Sequence, residues 1–172
     1  TSMRTSAIGR TADYVGDGTA FDSDLAVGQQ GAGVANGTAL TSGSLRIAVG
    51  TADAVSVGAS AAGTGAGQTD GSAWAKAAAI NSAGISGLTA TADTAAQIAW
   101  TDVSDSEYSL SINGVAIQSD YDGAVSTLTG DAMAAAINAN TGATGVTASY
   151  DSGVMTLAAS DGRNIVVSQT IG

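Results

Sequence analysis

Tyr108-Ser109-Leu110-Ser111-Ile112-Asn113-Gly114-Val115-Ala116-Ile117 holds a strand, a turn and the start of a partner strand. Tyr108, Leu110 and Ile112 alternate with serines, the period-two pattern of a half-buried strand. Asn113-Gly114 supplies the two positive-φ positions of a type I′ turn, so Val115-Ala116-Ile117 is expected to fold back antiparallel.

Downstream, Val146, Ala148 and Tyr150 alternate with Thr147 and Ser149, Asp151-Ser152-Gly153 makes a turn, and Met155-Thr156-Leu157 returns as a partner. Asp161-Gly162 then turns the chain into Ile165-Val166-Val167. Between the two hairpins, Met133, Ala136 and Ile137 recur at helical spacing and form an apolar stripe suited to a sheet face.

Sliding the chain against itself shows a duplication. Ala77-Ala78-Ala79-Ile80-Asn81 recurs as Ala134-Ala135-Ala136-Ile137-Asn138, and Gly87-Leu88-Thr89-Ala90-Thr91 as Gly145-Val146-Thr147-Ala148-Ser149. A hydroxyl residue able to cap a helix, Ser72 or Thr129, precedes each alanine run. The earlier copy opens on Leu45-Arg46-Ile47-Ala48-Val49, carries the stripe Ala73, Ala77 and Ile80, and continues through Leu88 to Ala92 and Gln97 to Trp100. Each copy therefore reads strand, strand, helix, strand, strand.

The fold class expected is α+β: two tandem β-β-α-β-β units, each a small antiparallel sheet with one packed helix, after an irregular β-rich N-terminal portion. The boundaries fall at 1–44, 45–103 and 104–172. Residues up to Ser44 are rich in glycine, alanine, serine and aspartate, with brief apolar groups such as Leu25-Ala26-Val27. Ala59 to Gly71 offers no side chains capable of anchoring a core and reads as a flexible surface loop.

Composition narrows the function. The 172 residues suffice for one or two small domains with a thin core, since alanine supplies much of the apolar count and Trp74, Trp100, Phe21 and four tyrosines carry the large side chains. Fifteen acidic residues against five basic ones (Arg4, Arg10, Arg46, Lys76 and Arg163) give a net charge of −10. That surface repels phosphate backbones, which argues against nucleic acid as a partner. The absence of cysteine and histidine removes disulfides, thiolate metal sites and the usual general base. No apolar run reaches the length of a membrane span, so no membrane insertion is expected. The chain opens on Thr1 without a leader and stops at Ile171-Gly172, which reads as a piece of something longer.

No set of residues emerges as catalytic, cofactor-binding or metal-ligating. Acid clusters at Asp17, Asp22 and Asp24, at Asp102, Asp105 and Glu107, and at Asp120 with Asp122 offer hard oxygen ligands of the kind calcium takes. None has the spaced loop with its closing glutamate, and aspartate is a favoured turn former. Paired carboxylates of a glycosidase need a concave apolar groove, which no nearby sequence suggests. Trp74 and Trp100 are placed either in the core, favoured for Trp100, or as sugar-stacking platforms. Asn36-Gly37-Thr38 fits an N-linked acceptor pattern that is short enough to arise by accident.

The unit from Tyr108 through Ile112-Asn113-Gly114, Ala136-Ile137-Asn138, Gly145-Val146-Thr147-Ala148-Ser149 and Asp161-Gly162-Arg163-Asn164-Ile165 resembles the "IN" module of bacterial flagellins and hook-associated proteins. The earlier unit resembles it more faintly, lacking the Ile-Asn-Gly hairpin and the Asp-Gly-Arg-Asn turn. The resemblance implies an extracellular place on the bacterial flagellum, in modules that project from the filament core, with neighbouring flagellin subunits as partners. It implies a structural protein, not an enzyme, that serves motility and varies antigenically, with exposed serines and threonines open to O-linked glycans. Without the terminal helical segments, the isolated piece is expected to be monomeric. The alternatives are a filament cap or hook-associated protein, and an adhesin or carbohydrate-binding module.

Overall fold

The computed structural model of the chain describes residues 37–172. Arg4, Arg10, Asp17, Phe21, Asp22, Asp24, Leu25-Ala26-Val27, Asn36 and all but the end of the 1–44 portion lie outside the described residues.

The fold is α+β with antiparallel sheets. In chain order the elements are β1 (Arg46–Ile47), β2 (Val55–Ser56), α1 (Ala73–Ser82), β3 (Thr94–Ala99), β4 (Glu107–Ile112) and β5 (Val115–Asp122). There follow α2 (Gly130–Ala139), the short α3 (Thr141–Thr144), β6 (Thr147–Asp151), β7 (Val154–Ala159) and β8 (Val167–Ile171). β1 pairs with β2, and two three-stranded sheets run in the orders β3-β7-β6 and β5-β4-β8.

Local chemistry sets the turns and helix starts. Asn113 and Gly114 take φ of 52° and 79°, and β4 and β5 pair across them as the dipeptide predicts. Ser152 and Gly153, at 49° and 86°, join β6 to β7 in the same way. Ser72 Oγ accepts from Ala75 N at 3.2 Å at the start of α1, and Thr129 Oγ1 from Ala132 N at 3.3 Å at the start of α2. Each hydroxyl satisfies one amide that the helix leaves unpaired.

The main core lies where β4, β7 and α2 meet: Ile112, Leu128, Met133, Ile137, Met155 and Leu157 are fully buried. Burial of side chains this size contributes roughly 1.5–3 kcal/mol each. Leu40, Leu45, Val57 and Ala79 form a smaller core under α1.

The repeated Ala-Ile-Asn and Thr-Ala segments have a shared purpose in the fold. Asn81 Nδ2 donates to Ala90 O at 2.9 Å while its Oδ1 accepts from Ala90 N at 2.8 Å. Asn138 does the same to Ala148, both bonds at 2.8 Å. One side-chain amide thus mimics a strand neighbour for a single residue, fastening the helix end to the segment after it.

Several expectations differ in detail. Leu88 to Ala92 does not pair with Gln97 to Trp100; β3 instead pairs with β7 over six residues, from Thr94 opposite Ala159 to Ala99 opposite Val154. The clamp from Asn81 already occupies Ala90, and β3 gains a long partner and an apolar face against Met155 and Leu157. The stripe expected on α1 is displaced: Ala75 and Ala79 are buried while Ala73 is exposed and Ala77 and Ile80 are half-buried. With five alanines in its ten residues, α1 has almost no contrast between its faces, so packing decides which one turns inward. On α2, Met133 and Ile137 are buried as expected, with Ala134 beside them in place of Ala136. The last strand begins at Val167 and not at Ile165, whose side chain instead packs on the core.

Candidate functional site

The segment Ala59 to Gly71, expected to be a flexible loop, is held along its length. Ser60 is buried, accepts from Leu40 N at 2.8 Å and donates to Asp70 O at 2.7 Å. Gln68 accepts from Gly65 N through Oε1 and donates to Asp161 Oδ2 at 3.2 Å. Gly67 O accepts from Asn164 N at 2.8 Å. A serine and a glutamine whose bonds close only in three dimensions hold a segment that was expected to lack any anchor.

The centre of this polar seam is the turn Asp161-Gly162-Arg163-Asn164. Arg163 and Asp161 form a salt bridge at 2.8 Å, with Arg163 Nε also donating to both carboxylate oxygens at 3.0 and 3.1 Å. The remaining guanidinium nitrogen donates to Ala66 O at 3.1 Å and Thr144 O at 3.3 Å. Hydrogen bonding from Arg163 lowers the Asp161 pKa to about 2, against the opposing effect of partial burial. Asn113 closes the seam: its Nδ2 donates to Thr144 O at 3.0 Å, and its Oδ1 accepts from Val166 N at 2.9 Å. The arrangement ties the 63–70 loop, the β4–β5 turn, the end of α3 and the approach to β8 into one polar joint.

The acids of the two clusters within the described residues stand largely in turns and caps. Asp102 Oδ1 accepts from the Trp100 indole N–H at 3.1 Å and from Gly130 N at 3.0 Å, beside the start of α2 where backbone amides favour a negative charge. Asp105 accepts from Ser104, and Glu107 opens β4. Asp122 accepts from Ala124 N and Val125 N in a turn, while Asp120, at φ 49°, pairs with Ser109. Among the described residues no group of three or more acids is placed to hold a metal ion.

Trp100 packs half-buried on the core, edge-on to Tyr108 with ring centroids 5.8 Å apart. Trp74 lies half-buried against Gly63, where a side chain would collide with its ring, and its backbone N–H donates to Gly162 O at 2.8 Å. Sequence reasoning passed over Asn81, Asn138, Gln68 and Ser60 as functional groups, and apart from the Asn duplication no local signal marks them.

A groove of about 380 Å³ opens between β3 and β8. Ile98 of β3 and Val167 and Gln169 of β8 stand at it together with Trp100, Tyr108 and Met133. Tyr108 is buried, its hydroxyl donates to Gln169 Oε1 at 3.1 Å, and burial raises its pKa. The helix α2, whose Met133 stands at the groove, packs on β6 and reaches β5. Among the described residues no helix is long and apolar enough to cross a membrane.

Residues 109–161, from β4 through β7 to the start of the polar turn, match the family model of the flagellin hook IN motif. A comparison with curated proteins gives no match.

Proposed function

We propose, from the flagellin hook IN motif that residues 109–161 carry, that this chain is the surface-exposed outer part of a bacterial flagellin, built into the filament through which the cell swims. The motif gives the chain a flagellin-related structural role; its position in the filament and its antigenic surface are our reading. The observation that carries it is the match over 109–161, and two further features support it. The chain holds its shape by packing and by backbone-directed hydrogen bonds, without disulfides, as suits a protein that folds only after export. The polar residues described above are engaged in caps, turns and clamps, a pattern of structural and not catalytic chemistry.

On this reading neighbouring flagellin subunits are the partners, the location is extracellular, and exposed serines and threonines are available for glycans. The experiment is immunogold labelling of the source bacterium with antibodies raised against this chain. Gold along the whole flagellum supports a filament subunit. Gold at the tip or base alone replaces it with a cap or hook-associated protein. Gold on the cell body with bare flagella sinks both and leaves an adhesin.

A further inference from the structure

Among the described residues the two larger sheets have four outer strands, and they are not equally guarded. β5 carries Asp120 and Asp122 and loses register with β4 near Leu110, while β6 ends in Asp151 and lies against α2. Charges, irregular pairing and covering helices are the devices that keep strand edges from pairing with other chains. β3 and β8 carry no charged residue. β8 runs along β4 without a register break, and all five of its residues are exposed.

Register shows which way β8 faces. Val167 lies opposite Ile112, Gln169 opposite Leu110 and Ile171 opposite Tyr108, and all three partners on β4 are buried. Residues directly opposite one another share a face of the sheet. Val167, Gln169 and Ile171 therefore stand on the core face, yet Val167 is 40% and Ile171 61% exposed. The apolar face of the sheet continues past the point where the described residues cover it.

We propose that β8 is a self-complementary edge to which a second copy of this chain adds its own β8, antiparallel, around a two-fold axis at Gln169. Val167-Ser168-Gln169-Thr170-Ile171 has the same chemical pattern in both directions. Such pairing sets Val167 against the partner's Ile171, Ser168 against the partner's Thr170 and Gln169 against the partner's Gln169. Apolar meets β-branched apolar, hydroxyl meets hydroxyl and amide meets amide, in the isologous contact that two-fold symmetry requires. Charge permits the same place. Each copy carries a net charge of −10, and β8 lets two copies approach without bringing carboxylates from the paired strands together. The added strand also extends apolar cover over the groove at Val167.

The inference rests on the filament reading for the crowding in which a short, weak edge becomes occupied, and it departs from the expectation of a strictly monomeric piece. It is tested in solution by sedimentation velocity of the chain over rising concentration. The expected result is a reversible monomer–dimer equilibrium. Gln169→Glu, which keeps an acceptor for the Tyr108 hydroxyl, and Gln169→Lys each set like charges face to face and weaken the dimer about tenfold or more. An equal mixture of the two variants restores it, because the partners then carry opposite charges. Thermal unfolding at concentrations where all three proteins are monomeric checks that the fold is intact. A chain that stays monomeric to millimolar concentration overturns the proposal. So does a dimer indifferent to both substitutions, or a mixture that fails to restore pairing. Gold along the flagella with a monomeric chain removes the pairing alone, and a dimer formed by a chain absent from flagella removes the filament reading alone.

Discussion

Asn138 holds Ala148 by both halves of its backbone, donating to the carbonyl and accepting from the amide at 2.8 Å each, and Asn81 holds Ala90 in the same way. The clamp links the last turn of a helix to the strand or extended segment after it. It explains why Asn follows Ala-Ile in both copies. Alanine, serine or aspartate at the position cannot offer a donor and an acceptor in that geometry.

Replacing Asn138 by Ala should therefore lower stability by about 1–2 kcal/mol, the net value of two hydrogen bonds near the surface. Asn138→Asp should not rescue it, since the carboxylate turns an acceptor toward the Ala148 carbonyl. Urea denaturation followed by circular dichroism checks this. The double variant with Asn81→Ala should lose the sum of the two single effects, because the clamps share no partner.

Gly145 sits at φ 70°, and a Cβ there would run into the Arg163 guanidinium. Gly145→Ala should cost more than about 1 kcal/mol, through left-handed strain and displacement of the polar joint. Gly142, three residues earlier, has open space around it and no positive φ. Gly142→Ala should be neutral or stabilising by about 0.4–1 kcal/mol. Equal effects at the two sites would contradict the assigned geometry.

In the core, Ile137 is 1% exposed and belongs to the cluster that draws on both larger sheets. Ile137→Ala should lose about 2–5 kcal/mol, from removed apolar contact and the cavity left behind. Val125, at 83% exposure, is the control, and its replacement by Ala should change stability by less than about 0.5 kcal/mol. Differential scanning calorimetry of both variants separates the two cases.

The Asp161 carboxyl is held at about 2, below its ordinary value of 3.8, chiefly by hydrogen bonding from Arg163. A lowered folded-state pKa adds stability that is present above the unfolded value and lost as the pH falls through the folded one. Asp161→Asn should consequently be less stable than the parent at pH 7, with the gap narrowing between about pH 4 and pH 2 as the parent loses its advantage. Denaturation midpoints of the two proteins across that range check it; a gap independent of pH would rule out the ion pair as its source.

The sequence alone determined the elements governed by neighbours along the chain. Asn113-Gly114 and Ser152-Gly153 fix their turns because few residues tolerate positive φ, and Ser72 and Thr129 cap their helices because a hydroxyl three residues ahead of an amide can reach it. The alternation of Tyr108, Leu110 and Ile112 and the spacing of Met133 and Ile137 marked the core, since a period of two or 3.6 says which side chains share a face. The duplication told that two segments do the same thing but not what that was. Tertiary structure decided the rest. Strand β3 crossed to β7 because its backbone and its small apolar face found a longer partner there than Leu88 to Ala92 could offer. The alanine-rich α1 turned Ala75 and Ala79 inward because its sequence carries little contrast between faces. Gln68 reaches Asp161 across 93 residues, and Arg163 reaches Ala66 across 97. Hydrogen bonds over such separations leave no periodic trace in a sequence, because they depend on where distant backbone arrives once the core has formed.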